Sequence, residues 1–207
     1  MSPDSRRPGD VEVIAPNFKR RLSGVTATIV RLLPLQAREI GIAATGPGLP
    51  DHVPHMSFWR LLTLDRKRWR VWHARRNSEM LAGLVLRGLL RKRFKLLFTS
   101  ASQRTHSRYT KWLIGQMDRI VATSRKTAGY LDQPADVVLH GIDPAQFAPA
   151  DDKADLRRAL GLPAEGRLVG CYGRIRHQKG TDLFVDAMID ILAGREDVTG
   201  LVMGRAT

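Results

Sequence analysis

A single cysteine, Cys171, stands among 207 residues, so no disulfide framework holds the chain together and a reducing compartment suits it. No apolar run approaches the roughly 20 residues that span a bilayer as a helix. The N-terminal MSPDSRRPGD lacks the apolar core of a signal peptide, and a soluble, cytoplasmic protein is expected. Aromatic residues make up only 6%, and zinc-finger spacing, RNP-like aromatic motifs and a helix-turn-helix pattern are all missing. Gly-x-Gly-x-x-Gly follows none of the expected strands, which argues against a dinucleotide-dependent dehydrogenase. Internal repeats and low-complexity segments are also absent. Acids are the scarce charge: 20 Asp and Glu face 34 Lys and Arg, for a net charge of +14. That excess points to an anionic partner, whether nucleic acid, membrane surface or phosphorylated substrate.

The residues that are present alternate between strand and helix patterns. Strands are expected at Val11–Ala15, Gly41–Ala44, Arg68–His73, Phe94–Phe98, Arg119–Ala122, Val137–Leu139, Leu168–Tyr172 and Gly200–Met203. Helical spacing of apolar residues marks Ser23 to Ile40, kinked at Pro34, and the stretch from Asn77 or Ser78 through Leu89. Further helices are expected around Lys111–Met117, after Thr123-Ser124, near Lys153–Leu160 and from Thr181 onward. Strands separated by helices imply parallel sheets with right-handed crossovers, and the fold class is α/β. Pro144 to Ala154, rich in Pro, Ala and Asp, is the linker candidate.

The stretch LVGCYGRIRHQKGTDLF, Leu168 to Phe184, carries the most chemistry. A buried strand ends at Gly173, and Arg174, Arg176, His177 and Lys179 follow before a helix begins near Thr181. Cations at the positive end of a helix dipole are misplaced unless an anion, most simply a phosphate, lies between them. A solvated basic loop is the other reading. The unit that contains this stretch holds little more than one βαβ. It is too small to cover both faces of a parallel sheet, so an apolar face and a sheet edge are expected to stand exposed. The chain is expected to be C-terminally truncated.

Several segments together resemble the GT-B-fold retaining glycosyltransferases of the group 1, or family 4, type. Gly173-Arg174, four residues, Lys179-Gly180, a helix and a strand ending in Gly204 are similar to the start of that family's second Rossmann-like domain. Asp118 to Ser124 resembles its strand-to-serine motif. His140-Gly141-Ile142-Asp143 with Phe147 and Pro149 is similar to its Asn-Gly-Val-Asp…Phe-x-Pro segment, with histidine in place of asparagine. Ser23-Gly24-Val25 stands where the family has a glycine-containing loop. His73 to Met80, HARRNSEM, resembles the enzymes that add mannose to the lipopolysaccharide inner core.

The resemblance implies a GT-B architecture: an N-terminal acceptor-side Rossmann-like domain over residues 1–148, and the incomplete start of a nucleotide-sugar-binding domain over 149–207. It implies retaining transfer of mannose from GDP-mannose to a phosphorylated glycolipid acceptor, Kdo-lipid A, with no cofactor and no obligatory metal ion. Arg174 and Lys179 would be the catalytic cations at the leaving diphosphate. Ser23, Gly24, His73, Arg75, His140, Gly141 and Gly173 would bind substrate. Simpler readings stay open for these: a helix-start glycine, a strand-end histidine bonded to backbone, solvated arginines, a plain turn at His140. Two departures bear on activity. Thr99-Ser100-Ala101 replaces the family's Thr-x-His, with His106 too far along to substitute. The family's glutamates seven residues apart would fall beyond Thr207, since none follows Glu196. The chain alone is therefore expected to bind donor poorly.

Seven Lys or Arg lie in Arg60–Arg76 and five in Arg87–Lys95. With Leu84, Val85, Leu89 and Leu90, the second group forms a cationic amphipathic helix suited to an anionic membrane surface. Peripheral attachment at the cytoplasmic face of the inner membrane is expected, although a solvated basic face would look the same. No nucleic-acid partner is expected. The alternative is an inactive protein that binds anionic lipid or nucleic acid through its basic surface.

Overall fold

The structure is a computed structural model that describes residues 11–20, 24–144 and 147–205. Contacts divide the chain into two compact units, Met1–Gly141 and Ile142–Thr207.

Unit 1 is built on a six-stranded sheet in the order β2-β1-β3-β4-β5-β6. The strands are β1 (Val13–Pro16), β2 (Ile42–Thr45), β3 (Arg70–Ala74), β4 (Phe94–Ser100), β5 (Arg119–Ala122) and β6 (Asp136–Val137). Every pairing is parallel. The connecting helices are α1 (Gly24–Glu39), α2 (Phe58–Thr63), α3 (Asn77–Gly88), α4 (Arg108–Gly115) and α5 (Arg125–Ala128). The two-residue period of the strands divides their side chains between two cores. Ile14, Ala43, Trp72, Phe94, Leu96, Phe98 and Ile120 pack with Leu61 of α2, Met80 and Leu86 of α3 and Leu113 of α4. Ala15, Ile42 and Ala44 pack on the other side with Ile29 and Leu33 of α1. α1 continues past Pro34 to Glu39.

Close packing fixes α3 on β3. The Trp72 indole is fully buried and donates its N–H to the Glu79 carbonyl at 2.7 Å. A Cβ added at Gly83 would stand 2.6 Å from the Trp72 ring, so only glycine allows this approach.

Two expectations change here. α2 was not foreseen in the sequence, yet Leu61 and Leu64 bury its inner side. The helix expected to carry the basic stretch through Leu89 ends at Gly88, and Arg91 takes a left-handed backbone, φ 50°. Lys92 is thereby turned inward, donating to the carbonyls of Leu62 (2.7 Å) and Leu64 (2.5 Å). It serves as a cationic cap for the end of α2, where the dipole favours positive charge. Arg93 and Lys95 lie over the Trp69 ring at 5.8 and 4.9 Å. The cationic surface is therefore made of a turn and strand starts, not of one amphipathic helix.

Unit 2 contains α6 (Lys153–Ala159), β7 (Arg167–Tyr172), a 3-10 turn at His177–Lys179, α7 (Thr181–Leu192) and β8 (Val198–Met203). Asp152 caps α6 by accepting the backbone N–H groups of Ala154 and Asp155. β7 and β8 pair in parallel, and Met188 of α7 packs against Gly200 on one side of them. The other side stays open, as expected: Tyr172 and Met203, on the face opposite Gly200, are exposed, Tyr172 to 69%, and even on the α7 side Val169 and Val202 are only partly covered. β7 is correspondingly not the buried strand its apolar run suggests. Cys171 is only half-buried, because one helix covers one face of a two-stranded sheet.

Candidate functional site

In a parallel sheet the carboxyl ends of the strands open into the crevice that takes ligands. In unit 1 that end carries a cleft with two lobes, of about 480 and 520 Å³. Gly24, Thr28, Arg75, Thr99, Thr123 and His140 line both lobes. Asn77, Ser100, Ser102 and His106 complete the first, and His73, Gln36, Val121 and Gly141 belong to the second.

The centre of the cleft is a triad of polar groups at the carboxyl ends of β3 and β4, His73, Thr99 and Arg75, the last directly after β3. His73 is paired with Leu97, which puts Thr99, two residues further, on the same face. His73 Nε2 lies 2.7 Å from Thr99 Oγ1. Arg75 donates from Nη2 to His73 Nδ1 at 3.4 Å and from Nη1 to the His73 carbonyl at 3.3 Å. Burial, with the Arg75 charge added, pushes the His73 imidazole down to about 3, so it is neutral at pH 7. Burial lowers Arg75 to about 10, against the opposing pull of Glu79 and with help from Arg76, so the guanidinium remains charged.

Beneath this triad lies a buried network. Glu79, 0% exposed, accepts from Arg76 Nη1 at 2.6 Å and from the Arg75 backbone N–H at 2.8 Å. Arg76 also donates to Asn17 Oδ1 and Thr26 Oγ1, each at 3.0 Å. Asn17 Nδ2 donates to the carbonyls of Lys19 and Pro47 at 3.0 and 3.1 Å. The loop after β1, the first turns of α1 and the start of α3 are thus tied together. Arg76, unlike its neighbour Arg75, is committed to this internal network, where its charge neutralises the buried Glu79.

His73, Arg75, Gly24, His140 and Gly141 all line the cleft, whereas Ser23 lies outside the described residues. A Cβ at Gly24 would meet nothing within 4 Å, so this glycine leaves space and does not relieve strain. His106, set aside in the sequence, is folded back into the first lobe, where Nε2 lies 3.5 Å from Ser100 Oγ. Burial lowers its pKa, with Arg104 and Lys111 adding to the effect and Asp132 opposing it. Asn77 is held by donation to Thr110 Oγ1 at 2.8 Å. The place of His106 was not legible because it depends on the 101–107 loop returning to the cleft, which no local pattern encodes.

Gly173, Arg174 and Lys179 belong to unit 2. Gly173 closes β7 with φ 130°, a backbone region essentially confined to glycine, and its N–H donates to the Met203 carbonyl at 2.9 Å. Lys179 ends the 3-10 turn, and Arg174 stands directly after Gly173. At the start of α7 the His177 Nδ1 is hydrogen-bonded to the Asp182 carboxylate in the first turn.

Among solved structures, Anabaena HepE, determined in complex with UDP and glucose, matches with a TM-score of 0.72 at 13% identity, over 95% of this chain and 62% of that one. No protein-family model matches. The likeness to HepE shows the fold, a GT-B architecture, and the similarity in sequence is to glycosyltransferases of lipopolysaccharide core biosynthesis. The chain is 55% identical over 204 residues, 96% of its length, to the lipopolysaccharide core biosynthesis mannosyltransferase LpsB of Rhizobium meliloti strain 1021. It is also 55% identical over 210 residues, 99% of the chain, to LpcC of Rhizobium leguminosarum bv. viciae, which bears the same description. The chain spans 58% of the length of each of these relatives.

Proposed function

We propose that this chain is the acceptor-binding part of a mannosyltransferase of lipopolysaccharide core assembly, acting on a Kdo-lipid A acceptor with GDP-mannose as donor. The observation that carries this reading is the pairing, in the unit 1 cleft, of a charged, half-buried Arg75 with a neutral His73. A guanidinium in such a place suits a phosphate or carboxylate of a glycolipid headgroup. Similarity to the two rhizobial relatives supports the sugar and the pathway.

Chemically, departure of a nucleoside diphosphate leaves negative charge on its phosphate oxygens. Cations aimed at that charge stabilise the transition state more than the ground state. Arg174 and Lys179 of unit 2 take this role, and transfer proceeds with retention and without a metal ion. The exposed aromatic and basic surface of unit 1 suits a lipid-linked acceptor: Trp59 is 75% and Leu89 78% exposed, and Trp69 lies beneath Arg93 and Lys95. The protein therefore works on the cytoplasmic face of the inner membrane, held there by anionic lipid.

Calorimetric titration of the chain with deacylated Kdo-lipid A tests the reading. Saturable binding that falls at least about tenfold in Arg75→Ala is expected, from the loss of a charge-assisted hydrogen bond. No binding, or equal binding by Arg75→Ala, contradicts it.

A further inference from the structure

We propose that the Thr99 hydroxyl donates the hydrogen bond by which the unit 1 cleft holds an anionic oxygen of its ligand, a phosphate or carboxylate oxygen, and that Arg75 and His73 set its direction. The inference rests on reading the cleft as a substrate site and goes beyond that reading by assigning the donor atom.

The direction follows from which atoms can donate. Guanidinium nitrogens only donate, so His73 Nδ1, 3.4 Å from Arg75 Nη2, must be the acceptor. An imidazole that accepts at Nδ1 is neutral and carries its proton on Nε2. That Nε2–H therefore donates to Thr99 Oγ1 at 2.7 Å. The Thr99 hydroxyl, having received one hydrogen bond, keeps its own proton to give. Among the described residues no acceptor takes it, and Thr99 lines both lobes of the cleft. A hydroxyl fixed in this way selects an oxygen that accepts, and the Arg75 charge beside it favours an anionic one. Because the imidazole stays neutral down to about pH 3, this arrangement holds over the whole physiological range.

The test uses the 207-residue chain with two probes, Kdo for the carboxylate and inorganic phosphate. Nitrogen-15 spectra of the His73 imidazole at pH 7 report the tautomer, and calorimetry reports binding by the parent chain, Thr99→Val and Thr99→Ser. The expected results are a neutral Nε2–H imidazole, a loss of at least about tenfold in affinity in Thr99→Val, and affinity within about threefold of the parent in Thr99→Ser. Thr99→Ser, compared by circular dichroism, separates loss of the hydroxyl from loss of the fold. An Nδ1–H tautomer, an imidazolium, undiminished anion binding by Thr99→Val, or no binding of either probe overturns the proposal. Phosphate binding that depends on Thr99, without Kdo binding, supports the hydroxyl assignment and removes the Kdo acceptor from the proposed function.

Discussion

Glu79 holds the candidate site together, and its removal should be among the most damaging single changes in unit 1. Its side chain is fully buried and that of Arg76 only 12% exposed, with 2.6 Å between them. The other oxygen accepts the Arg75 backbone N–H at 2.8 Å. Glu79→Ala leaves a guanidinium buried without its counter-charge, a loss of about 3–5 kcal/mol. That is a large part of the roughly 5–15 kcal/mol that holds a domain folded. In a domain of this size it corresponds to a fall in melting temperature of about 6–20 °C. Glu79→Gln keeps the volume but not the charge and should lie at the lower end. The surface pair Arg68–Glu12, at 3.2 Å with side chains 41% and 58% exposed, is the internal control. Arg68→Ala should cost less than about 1 kcal/mol. Urea unfolding followed by circular dichroism measures all three, and adding Arg76→Met to Glu79→Gln should restore part of the loss. A Glu79→Ala variant no less stable than Arg68→Ala would refute the reasoning.

Other expectations follow from the same geometry. His73 is held near 3 in the folded protein by burial and by Arg75, with Arg76 and Glu79 the next charges on α3, against about 6.5 when unfolded. Between those values the unfolded chain binds the extra proton, so this contribution is complete above about pH 6.5 and is lost as pH falls toward 3. From pH 7.5 to 5 the loss is about 2 kcal/mol, and His73→Gln should remove it; equal slopes of stability against pH would contradict this. Gly83→Ala drives a methyl against Trp72 at 2.6 Å and should cost about 1–3 kcal/mol, while Gly88→Ala, which meets nothing within 4 Å, should be near neutral by thermal melting. Trp59→Ala should weaken sedimentation with vesicles of anionic phospholipid and leave the stability unchanged; equal sedimentation would dismiss this surface as the membrane contact.

The α/β alternation was legible because apolar runs such as Phe94 to Phe98 and Arg119 to Ala122 are bounded by clear breaks. Ser124 capping α5 through the Thr127 N–H was legible as well, since its chemistry is local. His73 and Arg75 could be placed at a strand end from the pattern alone. Their partners could not: Thr99 meets His73 through a strand pairing, and Asn17 reaches Arg76 across 59 residues. α2 escaped notice because six residues within a basic run give little periodicity. Lys92 looked like surface charge because nothing local indicates that Arg91 reverses the chain and turns it inward.

The central claim, that unit 1 presents a lipopolysaccharide-core acceptor for mannosylation, is tested most directly by exchange. The chain is substituted for the corresponding segment of the Rhizobium meliloti relative, and mannose transfer from GDP-mannose to Kdo-lipid A is followed by mass spectrometry. Transfer by the chimera, reduced at least about a hundredfold by Arg75→Ala through loss of a half-buried charged contact to the substrate, is the expected result. A folded chimera that binds GDP-mannose yet transfers no mannose, or one indifferent to Arg75→Ala, would contradict the claim.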